Sequence, residues 1–237
     1  MQPICLKTGF VALTFMAIAS LTGAVLTACS NAPQNQAQAP NSSPTEAGGK
    51  QNTSKDSGMN HGGGMNHSMS MDLGPADADY DLRFIDAMTP HHQGAVIMAK
   101  DAQEQSKRSE IKKFADDIIK AQNQEIKQMQ QWRKAWYPKA SDKPMAYYPS
   151  HGHMMEMSPE QMQSMMMNTN LGESDAEFDL RFINAMIPHH EGAITMANDA
   201  LKKSKHPEIK QLAQDILTSQ QKEIDQMKQW RQAWYKK

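Results

Sequence analysis

The sequence predicts an all-α fold, a four-helix bundle built from two duplicated helical hairpins and accompanied by flexible Met/His-rich segments. Two observations carry this expectation. Residues 79–137 and 177–235 align without a gap at an offset of 98, with 35 of 59 positions identical, so the chain contains an internal duplication. Within each copy the apolar residues recur at three and four, and no stretch alternates like a strand.

In the first copy, Leu82, Ile85, Met88, Ala95, Met98 and Ala99 mark one helix. A turn follows at "SKRS", with Ser109 expected as the N-cap, and Ile111, Phe114, Ile118, Ile126, Met129, Trp132 and Trp136 mark the second helix. The other copy turns at "SKHPE" and places Pro207 where a first helical residue tolerates it. A hairpin of about 60 residues cannot bury its apolar faces alone. Two copies can bury them against each other, within one chain or between two molecules.

The hairpins are expected over 75–138 and 175–237, with a Met/His-rich linker at 139–174. In the linker, Ser158-Pro159-Glu160-Gln161 reads as a capped helix start leading into a run of methionines. Residues 1–28 have the charged start, apolar run and small-residue end of a secretory signal. Cys29 then stands where a lipidated N-terminus would begin. An ordinary signal or an uncut anchor is the alternative. Each reading sends the rest of the chain to the periplasm or cell envelope, touching membrane only through such an anchor. Residues 29–74 are expected to form a flexible tether ending in a Met/His tract.

Composition excludes several functions. Beyond residue 28 there are 24 basic and 26 acidic residues, which leaves no basic face for nucleic acid. Cys5 leaves with the signal, so no disulfide forms within the mature chain. No Glu has a His three residues later, as a di-iron bundle enzyme requires, and no HExxH or CxxCH occurs. A non-enzymatic role is expected, metal binding or, as the alternative, a structural or oxidant-scavenging part in the envelope, ahead of a metalloenzyme on a four-helix bundle.

What remains is sulfur and imidazole. The chain holds 20 methionines and 9 histidines, and only His206 lies outside a Pro-His-His or a methionine-bearing tract. The first tract carries Met59, His61, Met65, His67, Met69 and Met71. The linker carries His151, His153, Met154, Met155, Met157, Met162, Met165, Met166 and Met167. Thioether sulfur is soft and neutral, and it selects Cu(I), with Ag(I) as its mimic; Cu(II) is a second occupant for the histidines.

"AMTPHHQGA" and "AMIPHHEGA" set proline and paired histidines inside the helical rhythm, which implies a kinked but continuous helix. At 100° per residue one stripe carries Met88, His91 and Met98, with His92 at its margin. Gln122, Glu125 and Met129 face it; the second copy supplies Met186, His189, His190, Met196, Gln220, Glu223 and Met227. A methionine stripe is also ordinary core packing, and a buried His also bonds a Glu structurally. As ligands, the imidazoles would have Glu125 and Glu223 behind them, fixing their tautomers. Proton competition near pH 6.5 would then release metal from histidine sites between pH 7 and 5, while thioether sites keep theirs.

The repeat "DLRFIDAMTPHHQGA…MA" with "Q..EI.QM..W" resembles domain-of-unknown-function family 305. With the Met/His tracts, the whole chain resembles that family's periplasmic copper-binding members. That resemblance implies a helical bundle, a role in copper binding and tolerance, and copper efflux or chaperone proteins as partners. The Cys29 motif departs from a freely soluble periplasmic form.

Overall fold

The computed structural model describes residues 72–237. The signal reading, Cys29 and the tract from Met59 to Met71 lie outside that range. The described chain is an all-α bundle of four long helices with a small insertion. Helices α1 (Tyr80–Gln105) and α2 (Ser109–Trp136) form the first hairpin; α4 (Phe178–Lys203) and α5 (Pro207–Tyr235) form the second. Each pairs within its hairpin, and α1 packs against α4 at the centre. Pro90 and Pro188 both lie inside unbroken helices, as the uninterrupted apolar phase implies.

The core divides into two halves. One contains Met88, Met129 and Met196; the other contains Met98, Met186 and Met227. Met98 therefore lies in the other half-core from Met88, among residues of both copies. Burying a Phe, Ile or Met side chain contributes about 1.5–3 kcal/mol, and Phe84, Ile85, Phe182 and Ile183 are all sealed here. The bundle ends are closed across the repeats. His206 stacks on Trp136 at 3.8 Å, and its counterpart Arg108 lies 4.2 Å from the Trp234 ring centre.

Ser109 is not a cap. It is the first residue of α2, and its hydroxyl donates to Glu110. The turn is made by Ser106, whose Oγ accepts from the Arg108 N–H at 3.1 Å. Ser204 does the same for His206 at 3.2 Å.

The insertion between the hairpins holds more structure than the sequence implies. Strands β1 (Met145–Tyr148) and β2 (His153–Glu156) pair antiparallel, and α3 (Pro159–Met166) follows. The Ser158–Gln161 capping box is fully formed. Asp86 anchors the insertion by accepting from the Met145 N–H at 2.9 Å and pairing with Arg133. The second copy has Asn184 there, which accepts from Arg231 at 3.3 Å. The Tyr148 hydroxyl bonds Gln161, tying the strands to α3.

Helix α3 ends against α1 because Gly94 makes room for it. A Cβ at Gly94 would stand 1.7 Å from the Met166 carbonyl oxygen. Gly94→Ala should therefore push α3 outward and destabilise the protein by about 1–3 kcal/mol. Urea unfolding measures this, and faster amide exchange in α3 than in α5 locates it.

Candidate metal centre

Pro90 and Pro188 stand at equivalent points of α1 and α4, where the two helices meet. The histidine pairs that follow therefore converge from both repeats. His91, His92 and His190 are fully buried and His189 is 1% exposed. The His91 and His189 ring centres lie 3.9 Å apart. A neutral imidazole has one N–H donor and one lone pair, which makes the partner of each nitrogen informative.

His92 donates from Nε2 to Glu125 Oε2 at 2.6 Å, and His190 donates likewise to Glu223 at 2.6 Å. His189 donates from Nε2 to the Met166 carbonyl at 3.1 Å. These bonds place the proton on Nε2 in all three rings. Their Nδ1 atoms then carry buried lone pairs, and none has a hydrogen-bond partner among the described residues. His91 lacks a partner on either nitrogen. Such groups cost about 1–3 kcal/mol each when left unpaired. Carboxylate behind imidazole, with the far nitrogen bare, is the arrangement in which outer-shell groups orient a metal ligand.

The spacing limits how the resting rings are used. Ring centre to metal is about 3.2 Å for a nitrogen–metal bond of about 2.0 Å. Centres 3.9 Å apart would then subtend roughly 75° at one ion, too acute for low-coordinate copper or silver. His91 and His189 rest in contact with each other, so sharing an ion requires a ring to turn. Among the described residues, no three His, Cys, Asp or Glu side chains converge on one point. Thioether sulfur would have to complete a site here.

Thioethers stand close by in the sequence and in the core. Met88, Met98, Met129, Met186, Met196 and Met227 are all fully buried. From the insertion, Met157 and Met165 join the half-core that holds Met88 and Met129, with Met162 and Met167 packed against it. Met166 is half-buried, and its carbonyl is the group that reaches His189. His151, His153, Met154 and Met155 stay apart on the strand pair, with His151, His153 and Met155 exposed.

Two residues with a structural role escaped the sequence reading. Arg83 donates to the Leu73 and Pro75 carbonyls at 2.6 and 2.7 Å, and Arg181 donates to Leu171 and Glu173 at the same distances. Each arginine pins the segment leading into its repeat. The equivalence of the repeats thus reaches back to Leu73 and Leu171, ahead of the expected boundaries at 75 and 175. The matching "LG..DA..DLRF" was the available signal.

Burial, followed by the neighbouring imidazoles, holds His91 well below the ordinary histidine range. The same causes, with burial first, lower His189 to about 3. His189 therefore stays neutral at pH 5, and His91 resists protonation below the ordinary histidine range, so proton competition at these rings begins lower than the free imidazole value implies. The sign follows from linkage: the unfolded rings take up protons below about pH 6.5 that the folded rings refuse. Stability of the metal-free protein is therefore complete above pH 6.5 and falls steadily towards pH 3. Between pH 6.5 and 5, His189 alone should remove about 2 kcal/mol. Urea titrations at pH 7, 6 and 5 measure the loss, and His189→Gln should flatten it.

The family model described as "Domain of unknown function (DUF305)" matches residues 27–133 and 81–231. Among solved structures, the chain is similar to CopM in the Cu(II)-bound form. The two are 39% identical over 65% of this chain and 97% of that one, with a TM-score of 0.53. CopM in the Ag-bound form obtained by soaking is 36% identical over 65% and 97% of the two chains, with a TM-score of 0.52. The apo form of CopM matches at 36% identity over 65% and 98%, with a TM-score of 0.50. An uncharacterized protein of Acanthamoeba polyphaga mimivirus is 53% identical over 49 residues, 21% of this chain. The chain spans about a third (32%) of that relative's length.

Proposed function

Since the chain belongs to the DUF305 family, we propose that it is an extracytoplasmic binder of copper and silver ions that sequesters them or passes them on, and so supports copper tolerance. One observation carries this reading. At the meeting of the two repeats, buried imidazoles keep bare ring nitrogens, with Glu125 and Glu223 behind two of them, and six fully buried methionines belong to the two half-cores. The similarity to CopM, solved with Cu(II) and with Ag bound, supports the choice of ion.

The chemistry follows from ligand type. Imidazole and thioether are neutral donors that hold Cu(I) and Ag(I) and neglect Mg(II) and Ca(II). In the bundle, His91, His92, His189 and His190 supply nitrogen. The methionines Met88, Met98, Met129, Met186, Met196 and Met227, buried in the two half-cores, would supply sulfur. The linker methionines and the tract from Met59 to Met71 offer further thioethers for capture. The protein acts by holding ions, with copper efflux or chaperone proteins as the partners that would supply or receive them. Cys29 would tether it to the envelope.

Isothermal titration with Ag(I) should show more than one ion bound per chain, and Mg(II) and Ca(II) should produce no saturable heat. Absence of any Ag(I) binding would remove the proposal. Replacing Glu125 by Gln keeps the side-chain shape but removes the carboxylate that fixes His92. The bundle-bound ion should then bind about ten-fold more weakly. Unchanged affinity would make the His92–Glu125 pair purely structural.

A further inference from the structure

The strand pair of the insertion carries a metal site of a different kind. We infer that His151 and His153, joined by Met155, form a surface site that captures one copper ion before any change in the bundle. This rests on the proposed copper binding and assigns one ion to a defined place.

The turn is built so that both rings are available. The N–H groups of His151 and Gly152 donate to the Tyr148 carbonyl at 3.0 and 2.9 Å, closing the tip against the end of β1. Gly152 takes φ +67° with open space where a Cβ would stand. His153 donates from Nδ1 to the His151 carbonyl at 2.9 Å. This bond fixes its tautomer and leaves the Nε2 lone pair free towards solvent.

The spacing suits one shared ion. The two ring centres lie 5.7 Å apart. With about 3.2 Å from ring centre to metal, that separation corresponds to a nitrogen–metal–nitrogen angle of roughly 125°. That separation leaves room for an ion between the rings, in contrast to the 3.9 Å contact of His91 and His189. Of the adjacent bundle pairs, His91 and His92 at 6.5 Å lie beyond the reach of one shared ion, His189 and His190 at 6.2 Å would need a wide angle, and one ring of each already spends Nε2 on a glutamate.

The third donor follows from strand geometry. Side chains two apart on a strand share a face, so Met155 lies on the face of His153. It pairs across the sheet with Ala146, whose small side chain offers it little cover. Met155 is 39% exposed, one of two large apolar side chains exposed among the described residues. Two imidazoles and a thioether accept either oxidation state of copper, with sulfur contributing most to Cu(I).

Replacing His151 and His153 together by Gln tests the site in the purified protein. Cu(II) titration followed by electron paramagnetic resonance should show one fewer ion per chain, with unchanged far-ultraviolet circular dichroism. In the unaltered protein, substoichiometric Cu(II) should broaden the ring proton signals of these two histidines before those of any other. Met155→Leu should weaken Ag(I) at this site about ten-fold and leave Cu(II) nearly unaffected. Undiminished Cu(II) stoichiometry in the double variant, or first broadening elsewhere, would overturn the site while the copper-binding reading stands. A protein that takes neither Cu(II) nor Ag(I) would overturn both.

Discussion

The contact of α1 with α4 is the constraint on which the rest of the molecule depends. A single helical hairpin leaves an apolar face that it cannot bury, and the duplicated chain solves this by laying the two faces together. Because the copies are equivalent, whatever one carries at the centre of its face meets its own counterpart. That residue is histidine here, and the His91 and His189 rings touch at 3.9 Å. The remaining features of the core follow from having to accommodate imidazole where a bundle would ordinarily set Leu or Ile.

Accommodation is only partial. Glu125 and Glu223 accept one hydrogen bond each from His92 and His190, and the Met166 carbonyl accepts one from His189. Lone pairs remain over. An apolar replacement would have removed this penalty, so the buried nitrogens are difficult to account for by packing alone. The same burial keeps His91 and His189 neutral through mild acid, which preserves them as donors where a free imidazole would be protonated.

The duplication is equal in sequence but unequal in surroundings. Asp86 holds the insertion by the Met145 N–H, whereas Asn184 accepts only from Arg231 among the described residues. Met157 and Met165 consequently enrich only the half-core of Met88 and Met129. The insertion also divides the donors into two environments. Those in the bundle are sealed and need a ring to turn. Those at the turn of the strand pair are exposed, with the His151 and His153 ring centres 5.7 Å apart.

Much of this was legible in the chain itself. The offset of 98 and the three-and-four rhythm determined two hairpins of long helices, and the unbroken phase across Pro90 and Pro188 determined their continuity. The Ser158–Gln161 pattern determined the start of α3. These are local properties, written in neighbouring residues. The strands were not legible, because β1 is half-buried at every residue and β2 is nearly all exposed, so neither alternates. Nor could helical phase show that Met98 lies in the other half-core from Met88, or that His91 rests on His189. It also could not show that the Met166 carbonyl fills the space above Gly94. Spacing set Glu125 and Glu223 opposite the histidines within each hairpin, but it says nothing of what the other repeat or the insertion brings. Only the tertiary structure decided that, because the partner of each buried ring comes from a segment tens of residues away.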